Sequence, residues 1–120
     1  MFAIHIICRT DPGTGQLRNM ARIPNSRICR SGNWPVSKDK AAALIGGWLY
    51  LHPSKSEPAV FSGRILGFEP IHEPARRPAE RIVFLVEDRG EGLGQPWRGA
   101  AHKRARDGGL LPAALPHEIP

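Results

Sequence analysis

The sequence predicts a small α+β domain, mainly β, of mixed strands with one or two short helices. Three observations carry that expectation. Arg81 to Glu87 (RIVFLVE) is a continuous, β-branched run bounded by charges, the pattern of a buried strand. Ser37 stands where a side-chain oxygen can cap a helix. Asp39, Ala41 to Ala43, Leu44 and Ile45 follow before Gly46-Gly47 supplies a stop. Gly (13) and Pro (12) together exceed a fifth of the 120 residues, which favours many turns and short elements over long helices.

The elements read in order as follows. Phe2 to Cys8 (FAIHIIC) is short, apolar and β-branched, a buried strand, and Asp11 to Gly15 is a turn cluster. Gln16 to Arg30 has little periodicity and reads as a basic loop, with room for a short helix around Leu17 to Arg22. The helix is expected over Lys38 to Ile45, too short to stand alone and therefore packed on the sheet. Trp48 to His52 (WLYLH) reads as a strand with Trp48, Tyr50 and His52 on one face and Leu49 and Leu51 on the other. Ala59 to Ile71 is a longer strand whose alternation breaks, which predicts a bulge near Gly63 or Gly67. His72 to Ala79 is a Pro- and Arg-bearing loop before the Arg81–Glu87 strand. Short links among the last three strands predict an antiparallel meander, and closing the sheet into a small barrel would remove its edges. Gly90, Gly92, Gly94 and Pro96 mark a flexible loop, and Gly99 to Arg106 a basic helical turn.

The length predicts one domain, residues 1–107, followed by a flexible or loosely docked tail, residues 108–120. The formal charge of +6 favours partners with negative surfaces. Cys8 and Cys29 are too few for a Cys-rich zinc site, and no C-x-x-C pair occurs. Cys8 reads as a small buried hydrophobe. The N-terminal apolar stretch carries His5 and lacks a basic leader and a small-residue cleavage site. No run reaches the roughly 18 apolar residues of a membrane span. A cytoplasmic protein without a membrane partner is expected.

The order of elements from Ser37 to Glu87 resembles the PUA-like superfamily, which includes the EVE and ASCH domains. The resemblance rests on three segments. The first is a short helix and Gly-led strand, Gly46-Gly47-Trp48-Leu49-Tyr50-Leu51. The second has the form F-x-G-x-I-x-G, Phe61-Ser62-Gly63-Arg64-Ile65-Leu66-Gly67, and the third is the apolar strand Ile82 to Val86. It covers under half of the chain, and the Gly-x-Lys-x-x-Glu-x-Arg signature of an ASCH domain is absent. The resemblance implies a compact pseudo-barrel whose surface cleft binds RNA, or DNA carrying modified bases.

The residues themselves point to nucleic acid through charge and aromatics. Trp34 and Trp97 sit among Pro, Gly and polar residues, as base-stacking platforms do; each could equally cover an end of the core. Trp48, inside a strand, reads as core. Arg9 to Arg30 holds five Arg against one Asp, and Arg98, His102, Lys103, Arg104 and Arg106 form a second basic cluster. Such groups neutralise phosphates, or simply solvate a surface. The candidate nucleic-acid contacts are therefore Arg18, Arg22, Arg30, Trp34, Lys38, Tyr50, His52, Trp97, Arg98, His102 and Lys103, with a pocket of Trp34, Tyr50 and His52 as one way to gain specificity. A nuclease using His52, His102 and Lys103 with Glu57 or Glu69 is the alternative, and a protein-interaction adaptor a third. No catalytic set, metal site or cofactor is assigned. Gly90-Glu91-Gly92-Leu93-Gly94 matches neither phosphate-loop fingerprint.

Overall fold

The computed structural model describes residues 1–100 and 107–112. Its strands are β1 (Phe2–Ile7), β2 (Met20–Arg22), β3 (Ile28–Trp34), β4 (Trp48–His52), β5 (Phe61–His72), β6 (Glu80–Asp88) and β7 (Leu111–Pro112). Helix α1 (Lys38–Leu44) lies between β3 and β4, and a 3-10 turn, Gly90–Gly92, follows β6. The strands form one mixed sheet in the order β2-β3-β6-β5-β4-β1-β7. The β1–β4 pair is parallel and every other pairing is antiparallel. β4, β5 and β6 form the expected meander, and the expected bulge appears as a register shift between Ile65 and Gly67.

Alternation along the strands divides the core between two sheet faces. Ile4 and Ile6 of β1, Leu49 and Leu51 of β4, Ile65 of β5 and Phe84 and Val86 of β6 fill one face, covered by Ala41 and Leu44 of α1. Ala3, Trp48, Tyr50 and Ala59 form a smaller cluster on the other. The parallel register sets Ala3 beside Trp48, His5 beside Tyr50 and Ile7 beside His52. Trp48, Tyr50 and His52 therefore share a face, as the sequence predicts.

Helix α1 begins where the sequence places it: Ser37 Oγ accepts the Lys40 N–H at 3.2 Å, and Asp39 lies in the first turn. It ends one residue earlier than expected. Gly46, at φ +83°, turns the chain, and its N–H donates to the Ile65 carbonyl at 2.7 Å. Gly47 then passes so close to β1 that a Cβ there would lie 1.9 Å from the Phe2 carbonyl oxygen. A side-chain-free residue is what lets α1 hand the chain directly to β4.

Two expectations are corrected. The sheet does not close into a barrel: its outermost strands, β2 and β7, do not pair, and with three and two residues they offer only short ladders. Gln16 to Arg30 is neither a loop nor a helix but holds β2 and the start of β3. The turn between them is built by Ser26, whose Oγ donates to the Ile23 carbonyl and accepts the Ile28 N–H, with Asn25 at φ 61°. Beyond the Gly-rich loop, the segment from Asp107 to Pro112 runs antiparallel to β1, with Asp107 opposite Ile6 and Leu111 opposite Ala3. Among the described residues, no helix is long and apolar enough to cross a membrane. The expected helical turn over Gly99 to Arg106 lies mostly outside the described residues, as does the tail after Pro112.

Candidate nucleic-acid interface

A recess of about 430 Å³ opens where the end of β3, the β5–β6 connection and the β1 edge meet. Its basic wall is Arg76, Arg77 and Arg81. Arg81 is fixed by main-chain carbonyls: its Nε donates to Pro78 (3.2 Å), Nη1 to Asn33 (3.4 Å) and Nη2 to Arg77 (3.2 Å). Arg77 Nη1 donates to the Pro74 and Arg76 carbonyls at 3.3 and 3.1 Å. Among the described residues no carboxylate forms an ion pair with any of these three. Elsewhere the pairing is different. Arg22 is bound by Asp88, Arg30 by Glu69 at 2.6 Å, and Arg89 by Glu87 and Glu91 at 3.4 and 2.8 Å. Those carboxylate hydrogen bonds raise the pKa of Arg22, Arg30 and Arg89 above its usual high value.

The aromatic side of the recess is Trp34, the last residue of β3 rather than a loop residue. It is half-buried against the α1-side core, and its Nε1 donates to Ser31 Oγ at 3.1 Å. Beside it, Asn33 Nδ2 donates to Glu73 Oε1 at 3.0 Å; Asn33 Oδ1 is enclosed and has no hydrogen-bond partner among the described residues. The remaining wall comes from Ile6, Ile7 and Asp107 on the β1 side. Asn19, held at φ 55°, also lines three more open hollows. One includes Arg30, another Arg9 and Arg18, and the third Arg18 and Arg76 together with Asp11, so the basic surface continues outward from the recess.

The sequence candidates divide accordingly. Trp34 lines the recess, and Arg18 and Arg30 line the hollows beside it, Arg30 with its charge met by Glu69. Arg22 is tied to Asp88, and Lys38 is exposed at the first position of α1. Tyr50 and His52 are wholly buried on the opposite sheet face, so the pocket of Trp34, Tyr50 and His52 does not form. There, His5 stacks on Tyr50 with ring centroids 4.5 Å apart, and His52 Nε2 lies 2.7 Å from His5 Nδ1. His52 and Trp97 meet in a T-shaped arrangement with ring centroids 5.2 Å apart. Trp97 thus covers this histidine cluster, its Nε1 donating to the Ala100 carbonyl at 3.0 Å, and does not line the recess with Trp34. Arg98 is half-buried beside it. His102 and Lys103 lie outside the described residues.

Sequence reasoning passed over Asn33, Arg76, Arg77, Arg81 and Asp107. The signal for Arg76-Arg77 was present as two adjacent arginines in a Pro-bounded loop. For Asp107 there was none, because its place depends on pairing with β1. Of the residues proposed for a nuclease, His52 has both ring nitrogens engaged, Nδ1 with the Glu57 carbonyl at 2.9 Å, and Glu69 is bound to Arg30, while His102 and Lys103 lie outside the described residues. Among the described residues, no group of three or more His, Cys, Asp or Glu side chains is placed to hold a metal ion. Searches of family models, curated proteins and solved structures give no match to this chain.

Proposed function

We propose that this chain is a nucleic-acid-binding module of the PUA-like type, which takes a nucleotide of a single strand into the recess beside Trp34. The observation that carries this reading is the contrast in arginine pairing. Arg76, Arg77 and Arg81 lack carboxylate partners among the described residues, whereas Arg22, Arg30 and Arg89 have them. The guanidiniums of Arg77 and Arg81 are held by backbone carbonyls and that of Arg76 is exposed, so their remaining N–H groups can meet phosphate oxygens. Trp34 supplies an aromatic surface for a base, and base–aromatic stacking is worth about 1–3 kcal/mol. The net charge of +6 and the order of elements from Ser37 to Glu87 agree with the reading, while the open sheet departs from the pseudo-barrel that the resemblance implies.

The test is a salt titration of binding to labelled single-stranded and duplex oligonucleotides, RNA and DNA. Binding that weakens steeply with salt and favours single strands supports the proposal, because phosphate neutralisation releases counterions. No binding to any oligonucleotide at low salt, where the electrostatic contribution is greatest, overturns it.

A further inference from the structure

The recess is not uniformly basic. Its positive groups, Arg76, Arg77 and Arg81, come from the β5–β6 connection and the start of β6, while Asp107 lines it from the β1 side. Asp107 forms no ion pair with these arginines, so the two signs stay apart across the recess. Its position is fixed by the main chain: Asp107 bridges to Ile6, and the next residue, Gly108, donates its N–H to the His5 carbonyl at 2.8 Å. One carboxylate oxygen, Oδ1, accepts the Gly109 N–H at 2.8 Å, which orients the group. The second oxygen has lone pairs to offer, and Trp34 lies in the same recess.

An anion-binding wall, an aromatic surface and a carboxylate acceptor in one recess suit a ligand that is anionic at one end and a hydrogen-bond donor at the other. The geometry points to a nucleotide whose base carries an amino group, with its phosphate on Arg76 and Arg77, its ring against Trp34 and its amino N–H on Asp107. A carboxylate accepts from the N4 amino group of cytosine. Uracil presents a carbonyl oxygen at that position, and two acceptors facing one another repel. Asp107 is thus a specificity-determining residue that selects cytosine over uracil. This inference rests on the nucleic-acid reading above and names the base chemistry of the same recess.

The experiment uses the full chain and measures competition by CMP and UMP against a labelled single-stranded RNA, together with direct binding of oligo(C) and oligo(U) of equal length. The expected result is a preference for cytosine of about tenfold or more, in the range that one well-placed base contact gives. Asp107→Asn keeps an oxygen for the Gly109 N–H but adds a donor that uracil can use. It should narrow the preference to about twofold or less, mainly by improving uracil binding. Arg76→Ala should weaken cytosine and uracil ligands by the same factor, because phosphate contacts carry no base information. Equal binding of the two bases by the unaltered chain, or a preference that survives Asp107→Asn, overturns the inference and leaves the nucleic-acid reading standing. Failure of every oligonucleotide to bind at low salt overturns both.

Discussion

His5 Nδ1 lies 2.7 Å from His52 Nε2, and both side chains are wholly buried between the sheet and Trp97. The Glu57 carbonyl only accepts, so His52 Nδ1 carries a proton and donates to it at 2.9 Å. The contact between the two rings joins β1 to β4. Its role is to satisfy polar groups inside the smaller core cluster. His52→Ala removes one partner and opens a void, so it should lower unfolding free energy by about 2–4 kcal/mol in urea titrations. Oligonucleotide affinity per folded molecule should stay unchanged. A loss of binding at full folding would place the functional surface on this face of the sheet instead.

Cys8 is buried behind Arg18 and Arg9, and burial pushes its thiol up to about 11 from a usual value of 9.0. The thiol stays protonated in the folded chain at pH values where the unfolded chain loses the proton. The stabilising contribution is therefore complete below about pH 9 and is lost as the pH rises toward 11. Comparing urea midpoints of the unaltered chain and Cys8→Ala from pH 8 to 10.5 should show the difference between them shrinking with pH. Cys29 is also buried and its thiol is raised by the same cause. Both thiols should react with a thiol reagent far more slowly in buffer than in denaturant.

Gly46 and Gly47 are adjacent, yet their substitution should have different consequences. Gly46→Ala meets open space and costs only the left-handed backbone, about 1–2 kcal/mol. Gly47→Ala would drive a methyl group into the Phe2 carbonyl and separate β1 from the start of β4, at a cost of about 3 kcal/mol or more. Thermal unfolding of the two variants orders them. Equal melting temperatures would show that β1 can move away without penalty.

The arginines of the recess and those already paired should separate in salt titrations. Replacing both Arg76 and Arg77 by Ala should reduce the magnitude of the log–log salt slope by about 1.4, at about 0.7 per single-strand phosphate. Arg89→Ala, whose charge is met by Glu87 and Glu91, should leave the slope close to its original value. A similar fall for both variants would mean that binding follows net charge and not the recess.

The two loop-flanking tryptophans should also part company. Trp34→Leu should weaken single-strand binding by about 1–3 kcal/mol, the range of a lost stacking contact. Trp97→Leu should chiefly lower stability, because Trp97 covers His5 and His52. Anisotropy titrations paired with denaturation curves distinguish the two effects. Binding that is sensitive to Trp97 and indifferent to Trp34 would shift the site to the other sheet face.

Local pattern alone located the strands at Phe2–Ile7, Trp48–His52 and Glu80–Asp88 to within a residue or two, because each is a run of apolar or β-branched residues. The Ser37 cap and the Gly46-Gly47 stop located α1 for a similar reason: capping and left-handed turns are settled within a few residues. The sharing of a face by Trp48, Tyr50 and His52 followed from a period of two. Pairing across long separations was not legible. Met20 to Arg22 becomes a strand only because Ser31 to Cys29 lies beside it, and Leu111–Pro112 only because β1 has a free edge. The same distinction governs the site. Trp34 was visible as a tryptophan among small polar residues, but its companions are 42 or more positions away in the chain, at Arg76, Arg77, Arg81 and Asp107. Which arginines are met by Asp88, Glu69 or Glu91 and which have no carboxylate partner among the described residues is a matter of distances of a few ångströms. Composition fixes the number of charges, and only the tertiary fold decides which of them are paired, because ion pairing falls off over the width of a side chain while sequence separation says nothing about that width.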